Sequence, residues 1–225
     1  DARIRVERGL LTRTRSSVKR RRIQSWSLHE GVLHRWFKRR SLRVQTASGQ
    51  RGDGGGQRSL KELAPVATPV RCDELIQHFL PDAGWDSLVW QPLHRHAWWR
   101  IAAPGLLLVL VGSAGLTWRF GAIGLAVLAL LPLQLWRARR IAAACGYACN
   151  DRLVAWRTGW LSKRWNFAEI GKIQALRLAQ SPLDRRLGMA SLLLDTAGAS
   201  PFGAPLHLRQ LPDGVARALS ARLVA

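Results

Sequence analysis

The stretch KIQALRLAQSPLDRRLGMASLLLDTAG, residues 172–198, has a counterpart in the same chain. Moved back by 150 positions it lies on RIQSWSLHEGVLHRWFKRRSLRVQTAS, residues 22–48, without a gap. Ile23 meets Ile173, Gln24 meets Gln174, Leu28 meets Leu178, Leu33 meets Leu183 and Arg35 meets Arg185. Ser41, Leu42, Thr46 and Ala47 meet Ser191, Leu192, Thr196 and Ala197. The register holds upstream, where Gly9 meets Gly159, Leu11 meets Leu161 and Asp1 meets Asp151. Chance rarely keeps one register over such a length, so the chain carries an internal duplication. The period is far too long for a solenoid and fits two copies of a domain with something between them.

Charge shows what lies between. The chain has 225 residues and a formal net charge of +21. Residues 1–61 hold 17 Lys and Arg against 4 acids, and residues 137–225 hold 14 against 5. Residues 81–136 hold only 3 against 2. Two basic halves flank a nearly uncharged middle, which points to a polyanion or an anionic membrane surface as partner. The chain opens on Asp1 rather than Met, which fits a fragment of a longer protein, and no signal-peptide pattern starts it.

The middle contains two uncharged runs, IAAPGLLLVLVGSAGLTW (101–118) and FGAIGLAVLALLPLQLW (120–136), separated by Arg119. Each is close to the minimum for a membrane-spanning helix, about 17–25 residues. Pro104, Gly105, Gly112, Gly115 and Pro132 weaken a helix in water but are common in membranes. Trp98, Trp99, Trp118 and Trp136 mark the run ends, where an indole matches the headgroup zone. A transmembrane helical hairpin over 101–136 is therefore expected. Arg95 and Arg100 precede it, and Arg137, Arg139 and Arg140 follow. The positive-inside rule then places both outer ends, and both basic halves, in the cytoplasm. The expected localisation is the inner (plasma) membrane, multi-pass.

The copies read as strands closed by a helix. In the second, Arg152–Arg157 and Trp160–Phe167 form a hairpin about Thr158 and Gly159. KIQALRLA, SLLLDT and LHL are further strands, and QSPLDRRLG is a loop or short turn. A strand precedes Asp151 in IAAACGYACN. In LPDGVARALSARLVA, the residues Val215, Ala218, Leu219 and Leu223 share one helical face. The first copy repeats the plan with strands Arg3–Arg8, Leu10–Thr14, Ile23–His29 and Ser41–Thr46. The longer loop GQRGDGGGQRS follows, then a helix with Leu75, Ile76, Phe79 and Leu80 on one face. The first copy is expected to begin one strand into this plan, unless residues precede Asp1. The division is 1–80, a degenerate first domain; 81–100, a linker and pre-membrane segment; 101–136, the hairpin; and 137–225, the second domain.

The second copy carries Gly159, Ile173-Gln174, Gln180-Ser181-Pro182-Leu183 with Arg185, Gly188-Met189-Ala190 and Thr196-Ala197-Gly198. In this it resembles the bacterial pleckstrin-homology-like (PH-like) domains of YdbT-like membrane proteins, over its full length. The resemblance implies an α+β membrane protein. Two PH-like β-barrel or bent-sheet domains, each ending in a C-terminal helix, are separated by paired transmembrane helices. The first copy departs from the pattern. Glu30-Gly31-Val32 stands where Gln-Ser-Pro would be, and Lys38 replaces the Gly.

Chemistry is sparse. No catalytic constellation, nucleotide-binding glycine loop or metal cluster stands out, so no catalytic, cofactor or metal residues are assigned, and no cofactor is expected. His94 and His96 read as part of an interfacial segment. Cys145 and Cys149 read as small apolar thiols beside the membrane. The expected function is a non-enzymatic interaction module of the bacterial envelope. Its partners are anionic membrane lipids and a second membrane protein with the same domain type. Candidate contacts are Lys19, Arg20, Arg21, Arg22, Lys38, Arg39, Arg40, Leu183, Arg185 and Arg186. Leu183 also reads as a plug residue of the barrel. The alternative is a basic nucleic-acid-binding protein using Trp26, Trp36, Trp160 and Trp165 as stacking surfaces. The apolar middle, and the burial those tryptophans offer a small barrel, disfavour it.

Overall fold

The computed structural model describes residues 3–8, 14–46, 62–196 and 206–224. The first copy contains strands β1 (Arg3–Arg8), β2 (Thr14–Lys19) and β3 (Ile23–Glu30), the short helix α1 (Val32–Trp36), β4 (Arg40–Thr46), β5 (Glu62–Ala67) and helix α2 (Pro69–Phe79). A two-residue strand, β6 (Gln91–Pro92), leads to helix α3 (Ala97–Phe120), a 3-10 stretch over Gly121–Leu130 and helix α4 (Leu131–Ala144). The second copy contains β7 (Gly146–Cys149), β8 (Leu153–Thr158), β9 (Lys163–Glu169), β10 (Ile173–Ala179), α5 (Pro182–Arg186), β11 (Met189–Thr196), β12 (Leu206–Pro212) and α6 (Asp213–Val224).

The 150-residue spacing is kept to within a residue from β1 to β4 and is lost at β5 and α2, which begin 144 positions before β12 and α6. β1 matches β8, β3 matches β10, and α1 matches α5 residue for residue. Several expected elements shift. The second strand of the first copy is Thr14–Lys19, whereas Leu10–Thr14 was expected, and residues 9–13 lie outside the described residues. β9 starts at Lys163 rather than Trp160. Gly159 takes φ +90°, and a Cβ there would meet the Ser162 carbonyl oxygen at 1.8 Å, so the hairpin turn extends through Trp160 and Leu161. The expected strand in IAAACGYACN shortens to Gly146–Cys149, because Ile141–Ala144 complete α4. QSPLDRRLG folds into α5, started by Pro182 and by a capping box between Ser181 and Asp184. In α6 the buried residues are Ala216 and Leu219, while Ala218 faces outward.

The two-part architecture is present, yet the copies do not keep their sheets to themselves. One seven-stranded antiparallel sheet has the order β5-β4-β3-β9-β8-β7-β6. Its central seam joins the copies, with Trp26 opposite Phe167, Leu28 opposite Trp165 and Glu30 opposite Lys163. β10, β11 and β12 form a separate three-stranded sheet, and β1 and β2 a two-stranded ribbon.

Side-chain alternation explains the layering. Along β8, Leu153 and Ala155 enter one core with Trp26, Leu28, Leu42, Ile76 and Phe167. Val154 and Trp156 enter another with Leu192, Leu208, Leu211 and Leu219. β8 is apolar without interruption over LVAW because both its faces are covered. Helix α2 covers the first core and α6 the second. Trp26 is 2% exposed. It stacks between Phe79 and Phe167, at 6.1 and 6.2 Å between ring centroids.

The apolar middle forms one helical stretch, Ala97–Ala144, of 48 residues, long and apolar enough to cross a membrane by length and composition. Only 17% of its most apolar window is buried by protein. Contacts along it run antiparallel. Gly105 faces Gln134, Ser113 Oγ donates to the Gly124 carbonyl at 3.1 Å, and Arg139 sits over the Trp98 ring at 4.5 Å. A Cβ on Gly124 would meet the Thr117 backbone nitrogen at 2.2 Å, so this crossing requires glycine.

Candidate functional site

Of the two short helices of the repeat, α5 touches the start of the apolar stretch directly, and α1 is linked to it through Trp160. At α5, the Arg100 Nε of α3 donates to Asp184 Oδ1 at 3.3 Å. Asp184 also accepts from the Ser181 backbone N–H at 3.1 Å, while Ser181 Oγ accepts from the Asp184 N–H at 3.1 Å. At α1, Arg35 Nη1 donates to the Trp160 carbonyl at 3.3 Å. The Trp160 ring meets the Trp136 ring edge-on at 5.0 Å, and Arg140 covers Trp136 at 5.5 Å. Trp98 and Trp99 stack at 4.3 Å at the start of α3. Aromatic rings and guanidinium groups therefore pair near both ends of the apolar stretch.

The α1 turn is apolar and open. Val32, Leu33, Trp36 and Phe37 of the α1 turn are exposed, Trp36 by 81% and Phe37 by 70%. Arg35, Lys38 and Arg39 border them and are also exposed. The turn is poorly capped, since Gly31 at its N-cap offers no side-chain acceptor. Lys38 closes it with φ +49°, where Gly188 of the second copy takes φ +67°. At α5 the exposed residues are Leu183, Arg185 and Arg186.

Of the expected residues, Lys38, Arg39, Leu183, Arg185 and Arg186 are exposed on or beside the two short helices. Leu183 is 53% exposed and plugs no core, because the buried position of α5 is taken by Asp184. Arg40 is engaged elsewhere. It pairs with Glu30 at 2.8 Å, approaches Asp73 at 4.0 Å and covers the Trp165 ring at 5.0 Å. Lys19 ends β2 and Arg20–Arg22 form a 3-10 turn before β3. They lie at the far end of β3 from α1. Eight residues at about 3.3 Å each put roughly 25 Å between the two groups.

The expected burial of tryptophans holds for Trp26 and fails for Trp36. Sequence reasoning treated Trp160 as a strand residue and missed its link to Trp136. An apolar Trp-Leu pair directly after the turn glycine was the available clue. Arg100 was noted only for its charge.

Other reactive groups are structural in setting. Burial pushes the thiols of Cys72, Cys145 and Cys149 up from their ordinary value, away from thiolate chemistry. His94 and His96 sit with ring centroids 5.2 Å apart, and the His94 N–H donates to the Gln210 carbonyl. Among the described residues no three His, Cys, Asp or Glu side chains gather to hold a metal.

No curated protein and no solved structure matches the chain. A family model does match, over residues 1–77 and 105–223, which takes in both copies of the repeat and most of the apolar stretch. The chain belongs to the bacterial PH domain family.

Proposed function

We propose that this chain is a non-enzymatic integral membrane protein of the bacterial envelope. Residues 101–136 cross the inner membrane as a helical hairpin, and both PH-like parts lie in the cytoplasm as interaction modules against the inner leaflet. The observation that carries this reading is the open apolar turn Val32–Phe37, linked through Trp160 and Trp136 to the end of the apolar helix. Four exposed apolar side chains are costly in water, and tryptophan favours the headgroup zone. Exposed cations beside them suit anionic lipid, at about 1 kcal/mol per basic residue near the surface. The hairpin already tethers the domains, so α1 and α5 orient them rather than recruit them.

The test places an environment-sensitive dye at Phe37→Cys in proteoliposomes. With anionic lipid, emission shifts to the blue and is quenched by doxyl-lipid. Water-like emission, unchanged between anionic and zwitterionic lipid, refutes the contact.

A further inference from the structure

The repeat leaves two strand edges without the partner that the same structure gives their counterparts. β3 pairs with β4 on one side and β9 on the other. Its 150-residue counterpart, β10, pairs among the described residues with β11 and with no second strand. The counterpart of β9 is β2, and among the described residues β2 pairs with β1 and with no second strand. Burial follows the pairing. β3 buries Ile23, Gln24, Trp26 and Leu28, whereas β10 exposes Gln174, Ala175, Arg177, Leu178 and Ala179. A seven-residue edge carrying leucine and alanine, with one cation and no proline, is a ready template for another strand.

From this we infer that β10 of one chain receives β2 of a second copy of the same chain. The pairing repeats in trans the β3–β9 seam seen within the chain. The register follows from the offset. Trp26 opposite Phe167 becomes Leu176 opposite Ser17, and Ser27 opposite Asn166 becomes Arg177 opposite Ser16. Leu28 opposite Trp165 becomes Leu178 opposite Arg15, and His29 opposite Arg164 becomes Ala179 opposite Thr14. A second copy is the occupant because each chain carries both complementary edges. Two chains can exchange them reciprocally and close a two-fold dimer. The inference deepens the interaction-module reading above and rests on it.

Directly opposite residues in an antiparallel pair bring their Cβ atoms within about 4.5–5.5 Å, near enough for a disulfide after small adjustment. The experiment co-expresses two differently tagged chains, one with Ser16→Cys and the other with Arg177→Cys, and oxidises their membranes mildly. The expected product is a dimer band carrying both tags. It is severalfold stronger than that from Ser16→Cys with Leu178→Cys, which places one thiol on the wrong face. Absence of the mixed band overturns the proposal. So does closure of the bond inside a single chain carrying both substitutions. The reaction is repeated after detergent solubilisation, and flotation of the same membranes reports separately whether the protein is membrane-integrated.

Discussion

The guanidinium of Arg100, in the first turn of α3, lies 3.3 Å from the carboxylate of Asp184, the buried acid of α5. Asp184 thus closes the capping box of its own helix and ties the second copy to the apolar stretch. In the first copy His34 holds the matching position, and the link to the apolar stretch runs through Arg35 and Trp160 instead. Asp184→Ala removes the carboxylate half of the capping box, keeping the bond from the residue-184 N–H to Ser181 Oγ, and leaves Arg100 without its acid. It lowers unfolding stability in detergent by about 1–3 kcal/mol. Arg100→Gln keeps the cap and has the smaller effect. Denaturant titration of the three proteins checks this order.

The cross-copy seam makes the halves unfold together. Phe167 belongs to the second copy but fills the core covered by the first copy's α2. Phe167→Ala costs about 3–5 kcal/mol. The loss appears as one cooperative transition shifted to lower denaturant, with α2 and β8 becoming protease-sensitive at the same midpoint. Two separated transitions, with the first copy unaffected, would contradict a shared core.

Lys38 occupies a left-handed backbone conformation that glycine adopts freely and L side chains pay strain to enter. Lys38→Gly therefore stabilises the fold by about 0.5–1 kcal/mol, while Gly188→Lys destabilises it by a similar amount. Paired melting curves decide the sign.

The fold also responds to acid through His29. Burial lowers its pKa first, and Arg164, Arg43 and His34 lower it further. Its ring lies 3.2 Å from Ser162 Oγ across the seam between the copies. Because the folded pKa is below the unfolded one, the contribution of His29 is complete above the ordinary value of about 6.5. Stability falls as pH drops from there towards the lowered folded value. His29→Gln flattens this slope, read as denaturation midpoints at pH 7 and pH 5. An unchanged slope would place the acid response elsewhere.

Local pattern was legible in the sequence, and partnership between strands was not. The 150-residue offset, the strands at Arg3–Arg8 and Arg152–Arg157 and the face of α2 could all be read from periodicity and turn residues. That β3 pairs with β9 could not, because alternation shows which face of a strand is buried but not whose edge it meets. The run Leu153–Trp156 was read only as a hairpin strand, and that both its faces are covered needed the structure. Trp36 looked like core for a small barrel, but a five-residue helix at the tip of a hairpin has no second layer to enter. Lys38 and Arg39 were legible as exposed cations. The diversion of Arg40 to Glu30 and the distance of Arg20–Arg22 from α1 needed the strand register.

The proposed topology has residues 101–136 entering and leaving the membrane on the same side. Its most direct test is labelling of single added cysteines by a membrane-impermeant thiol reagent in spheroplasts. Arg119→Cys, in the turn of the apolar stretch, reacts from outside, whereas Arg186→Cys in α5 reacts only after the membrane is opened. Recovery of the protein in the soluble fraction without detergent, or equal protection of both positions, would contradict the account.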